Sequence, residues 1–239
     1  MDTAVGAGVD ESHQALRAAL ERLAALTARE QLTEASGCTH CVPPEEQAVL
    51  SGPAEAVPDD LVSYVAGDAA SMWDDFPSLY RRLSPRILGM LADGSLHVSE
   101  SQVGTNLAQA GWESWPGGVA QAVREVLDAL WLAVLSAPPG TPSVDEVLRL
   151  LVGATGTVTP WLAVWAGLRS PAADLHLADL FEDWFGDLYH GGLVLDSLRD
   201  QDFTAEVAAW FLAQGPDRLT GPLARERLAR LASAPSREL

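Results

Sequence analysis

An all-α fold is the structure this sequence predicts, and three observations predict it. Apolar residues recur at three-to-four spacing in about ten segments, which is the pattern of amphipathic helices. No segment sustains period-two alternation with β-branched enrichment, so no sheet is expected. Proline and glycine punctuate the chain so that the helices are joined by short connections. About ten helices so joined imply antiparallel pairs, packed as an irregular bundle or as a short array of the HEAT or TPR kind. No fixed-period repeat supports the array specifically.

Residues 1–10 are small and polar and are expected to form a disordered tail, ahead of a single all-helical domain over 11–235. The first helix spans 11–29, with Leu16, Leu20, Leu23 and Leu26 on one face. Periodicity is lost over 33–42, where Gly37 marks a loop. Pro44 followed by Glu45 and Glu46 opens a short helix, because proline suits the first turn and carboxylates favour the positive helix end. Pro58-Asp59-Asp60 opens another, with Leu61, Val62, Val65 and Ala69 facing inward. Asp74-Asp75 starts a stripe through Phe76, Leu79, Leu83, Ile87 and Leu91, and Pro85 predicts a kink or a break inside it. A helix from Ser99 runs to near Gly111, and the longest runs over 115–135. Pro138-Pro139-Gly140 is the strongest linker signal, and reads either as a sub-division of the domain near 137–142 or as a helix–helix connection alone. Beyond it, Ser143 with Glu146 has capping-box spacing. Helices over 160–168, 171–188, 204–213 and 216–232 complete the chain.

Composition excludes whole classes of function. All 15 basic residues are arginine, so no P-loop lysine or Schiff-base lysine exists. A net charge of -18 repels phosphate backbones and anionic membranes, so neither nucleic acid nor a membrane surface is an expected partner. The uncharged run 150–168 is long enough to span a bilayer, but its glycines, threonines and Pro160 read as two buried helical pieces joined near Gly156. The first residues carry no secretory signal, which makes the cytoplasm the expected compartment.

Chemistry is concentrated in Cys38-Thr39-His40-Cys41, which holds both cysteines. Cysteines two residues apart can share one zinc ion, and Cys38, His40 and Cys41 are the candidate metal ligands. A closed zinc site needs about four ligands, and no second cysteine pair supplies them. The same thiols could form a disulfide, or simply pin a loop. Two further groups are candidates. Asp179, Asp183 and Asp187 share a helix face, with His176 one turn earlier, and read as a solvated stripe before a cation site. Trp161 and Trp165 sit one turn apart and read as core before a ligand groove. Asp74 and Asp75 lack the full diphosphate-binding spacing and are expected to cap a helix, with Arg81, Arg82 and Arg86 paired to acidic neighbours.

The Cys-x-x-Cys loop, Pro58-Asp59-Asp60-Leu61-Val62, the stretch Tyr80 to Leu88 and the stretch Pro171 to Ala178 together resemble a group of bacterial all-helical proteins without an assigned activity. The resemblance implies that these segments belong to one unit, and no more. No catalytic triad or cofactor motif is present. The expected function is therefore non-enzymatic binding of a protein partner, with no cofactor unless zinc is held at Cys38 and Cys41. The alternative is a small-molecule-binding protein or enzyme whose site in a helical groove gathers several of His97, His176, Trp161 and Arg86, and a second alternative is a metal-binding or redox role of the Cys38–Cys41 loop.

Overall fold

The computed structural model describes residues 2–28, 34–140, 142–196 and 199–234. Among these the elements are α-helices and short 3₁₀ turns, with two isolated bridges and no strand. The helices are α1 (Asp2–Thr27), α2 (Pro44–Ser51), α3 (Asp59–Gly67), α4 (Phe76–Ala92), α5 (Glu100–Gln109) and α6 (Val119–Ser136). They continue as α7 (Val144–Thr155), α8 (Thr159–Gly167), α9 (Pro171–His190), α10 (Thr204–Arg218) and α11 (Pro222–Ala232). None of them is long and apolar enough to cross a membrane.

Local chemistry explains where these helices start and stop. Ser143 accepts from the Glu146 amide while the Glu146 carboxylate accepts from the Ser143 amide, a complete capping box for α7. Asp75 caps α4 through the Ser78 amide, and Ser170 caps α9 through the Ala173 amide. The uncharged run does divide at Gly156, whose φ of +71° ends α7.

Four boundaries differ from expectation. α1 begins at Asp2, so the chain expected to be a disordered tail is, from residue 2, part of that helix; its expected end at 29 lies outside the described residues. Pro85 does not break α4. Its missing N–H would leave the Arg81 carbonyl unpaired, and the Ser84 hydroxyl donates to that carbonyl at 2.7 Å instead. α6 starts at Val119 and not at Trp115, because Gly117 and Gly118 both take positive φ just before it. Pro216 lies within α10, near its end, where only one helical bond is forfeited.

Buried apolar side chains from Leu16 to Leu231 form one connected core. Its principal packings are α5 on α7, α1 on α6 and α4, and α9 with α10 and α11. α1 thus rests on a helix more than ninety residues away in sequence, which a solenoid of neighbour-only contacts does not do. The architecture is an irregular helical bundle.

At the α5–α7 crossing the two backbones touch. A Cβ added at Gly104 would stand 2.2 Å from the Leu150 carbonyl oxygen, and one at Gly153 would stand 3.2 Å from the Thr105 nitrogen. Helix ends are closed by side chains from other helices. Arg82, buried on α4, donates to the Leu50 and Gly52 carbonyls at the end of α2. Asn106, fully buried on α5, donates to Ala66 O and Asp68 O at 2.9 Å, ending α3. Arg218 of α10 reaches Trp165 O and Leu168 O at the end of α8. In each case a carbonyl that the helix leaves without a partner is satisfied by an N–H from outside it.

Gly104→Ala is therefore expected to destabilise the fold by about 1–3 kcal/mol, because helices already in backbone contact must separate. Urea unfolding reads this as a lower midpoint at unchanged slope; an unaltered midpoint would mean that the crossing is looser than described.

Candidate functional site

The Cys38–Cys41 turn is held from both sides. Gly37 bridges Trp73, the Cys38 amide donates to Met72 O at 2.9 Å, and the Asp74 amide donates to Ser36 O at 3.0 Å. Gly37 is required by this approach, since a Cβ there would lie 2.3 Å from Met72 O. Downstream, Val42 is buried and its carbonyl accepts from the Gln47 side chain at 2.9 Å. Between these anchors Cys38 O accepts from the Cys41 and Val42 amides at 3.1 and 3.0 Å, which closes the turn.

The closed turn places the two sulfurs 3.3 Å apart, both as free thiols. Cys41 and the His40 ring are exposed, and Cys38 is half-buried. The two thiols are not equivalent. The Cys41 thiol, and after it the backbone N–H groups of Cys41 and His40, stabilise the Cys38 thiolate and lower its pKa below that of an ordinary cysteine. Cys41 is pushed the other way, chiefly by its hydrogen bond to Cys38, then by burial and by the charges of Cys38 and Asp68. Asp68 also raises Tyr64, after the larger effect of burial.

The fold thus brings Cys38 and Cys41 together, and it uses His40 through its amide. Among the described residues no group of three or more His, Cys, Asp or Glu side chains is placed to hold a metal ion. Two sulfurs are half of the donors that a closed zinc site requires.

The other candidates separate cleanly. His176 is buried, with Nε2 2.9 Å from the Ala137 carbonyl, whereas Asp179, Asp183 and Asp187 are exposed on α9. They do not form a common site with it. Leu175, 55 % exposed, continues the same i, i+4 row as the three aspartates. None of these aspartates has an ion pair among the described residues, while the adjacent Glu182 pairs with Arg227 of α11.

Among the described residues, Trp161 and Trp165 are buried in the core. Trp131 stands edge-on to Trp165 at 5.6 Å and donates its indole N–H to Trp161 O at 3.0 Å. Trp165 donates to Ala173 O at 3.1 Å, and Trp210 to Leu162 O at 3.0 Å. Clefts of about 630 to 710 Å³ lie between α1 and α6, beside Arg82 and Arg86, and between α9, α10 and α11. Arg86 borders the second; His97, His176 and Trp161 border none of these clefts. Of the arginines expected to pair with acids, Arg86 does so with Asp59, whereas Arg82 does not. Arg86 donates to Ala54 O, Val57 O and Asp59, and Arg82 to carbonyls alone. Chain-end capping by arginine leaves no signature in sequence spacing, because donor and helix end are about thirty residues apart.

Compared with models of protein families, with curated proteins and with solved structures, the chain matches none.

The unequal thiols make a direct prediction. At mildly alkaline pH, iodoacetamide should alkylate Cys38 before Cys41, with peptide mass mapping as the readout. Equal rates, or Cys41 reacting first, would contradict the arrangement of hydrogen bonds around Cys38.

Proposed function

We infer that this protein works by binding a basic protein partner at its surface, without chemistry on that partner. The observation that carries the reading is the exposed row Leu175, Asp179, Asp183 and Asp187 on α9. Like charges four residues apart on a helix repel by roughly 0.2–0.5 kcal/mol per pair. Asp187 also lies in the last turn of α9, where the helix dipole disfavours carboxylates. A cationic partner relieves both penalties, and Leu175 adds an apolar anchor beside the charges. The overall charge of -18 would speed encounter with such a partner and repel nucleic acid. The consumed indole N–H groups and the packed core argue against a small-molecule groove as the working site. A reducing compartment such as the cytoplasm is the setting that fits two free thiols.

An arginine-rich peptide serves as the probe. Replacing Asp179, Asp183 and Asp187 by Asn should weaken its binding about tenfold, taking three exposed pairs at ~0.5 kcal/mol each. Added salt should reduce the difference between the two proteins. A control with Glu11, Glu21 and Glu45 changed to Gln alters net charge equally at other exposed sites. Equal loss in the control would mean diffuse attraction and would overturn the assignment to α9.

A further inference from the structure

We propose that Cys38 and Cys41 form a reversible dithiol–disulfide couple that exchanges with small-molecule disulfides. Four observations carry this, all geometric. The sulfurs are 3.3 Å apart, so closing a disulfide of about 2.05 Å needs only side-chain rotation and a small approach. The turn that sets this separation is anchored by Met72, Trp73 and Ser36 on one side and by Val42 and Gln47 on the other. That anchoring holds the second thiol beside the first, which makes ring closure an intramolecular step between preplaced groups. Cys41 is exposed and Cys38 half-buried, so a small disulfide can reach the turn. None of the larger clefts borders it, which favours a small reagent over a protein segment seated in a groove.

The donor set favours a dithiol over a metal centre. A zinc ion shared by these sulfurs would need about two more ligands, and no group of three or more metal-ligating side chains exists among the described residues.

The exchange balances as follows. Cys38, as its thiolate, attacks one sulfur of the disulfide R–S–S–R, forming the mixed disulfide and releasing RS⁻, which takes up a proton. Cys41 then loses its proton and attacks the Cys38 sulfur, forming the Cys38–Cys41 bond and releasing the second RS⁻. Two electrons pass from the protein dithiol to the small disulfide, which leaves as two thiols. A thiol in excess runs the same steps backwards and restores both cysteines.

The test equilibrates the full chain in buffers of graded reduced-to-oxidised glutathione ratio, then quenches with acid and counts free thiols by alkylation and intact mass. The proposal expects one two-electron transition in which both thiols disappear together, the protein stays monomolecular, and the midpoint does not depend on protein concentration. Cys41→Ser should stop at a glutathione adduct on Cys38, and Cys38→Ser at an adduct on Cys41, while circular dichroism reports whether each variant remains folded. Should a variant fail to fold, peptide mapping of the oxidised wild-type chain still locates the bond. Separate adducts on the wild-type cysteines, or thiols that stay reduced throughout, would overturn the proposal. So would stoichiometric zinc in the pure protein that must be chelated before either thiol reacts.

Discussion

The contact between Gly104 and the Leu150 carbonyl sets the scale for everything packed around it. Only glycine lets α5 and α7 approach until backbone meets backbone, and Gly153 repeats the device one turn further along α7. With α7 fixed at that distance, its neighbours dock onto its polar atoms. Trp112 donates to Ala154 O at 2.8 Å, and Arg199 to Gly153 O at 3.0 Å. Trp184 of α9 reaches Asp145 at 3.0 Å, and Arg149 reaches Val194 O at 2.8 Å. α7 is thus the post to which α5, α9 and the segment before α10 are tied.

A second constraint follows from helices that end inside the molecule. Each leaves carbonyls that must find donors or cost roughly 1–3 kcal/mol apiece. A chain without lysine meets this need with guanidinium forks, the buried Asn106 amide and the indole N–H groups of Trp112 and Trp115, which reach Ala154 O and Ala110 O at the ends of α7 and α5. The arginine fork suits the task, since it offers several N–H donors in one plane and loses little when desolvated. Arg82 still carries a cost, since burial lowers its pKa. These donors are spent on structure. The chemistry left over lies at the surface, in the carboxylate row of α9 and in the Cys38–Cys41 turn.

The readability of the sequence followed the range of each interaction. Ser143 with Glu146, Asp75 before Phe76, and Gly156 after Thr155 act within a few residues, and their spacing announced the helix ends they make. Of the kink or break expected at Pro85, the break is absent, because its remedy, the Ser84 hydroxyl on Arg81 O, is a rotamer that residue identity alone does not reveal. Gly104 and Gly153 sit in unbroken helices, so their meaning appears only when two elements forty-nine positions apart are placed together. The site divided in the same way. That Cys38 and Cys41 share a turn was legible from their spacing, whereas the inequality of the two thiols depends on where the His40 and Cys41 amides point. The exposure of Asp179, Asp183 and Asp187 was legible; the departure of His176 into the core was not, because its partner is the distant Ala137 carbonyl.

One measurement tests the proposed binding surface on α9 most directly. The indole N–H groups of Trp131, Trp161 and Trp165 report on the core, and the amides of α9 report on the exposed row. In an NMR titration with an arginine-rich peptide, the account predicts shifts at Leu175, Asp179, Asp183 and Asp187 while those indole signals hold still. Indole signals that move while the α9 amides stay in place would contradict it.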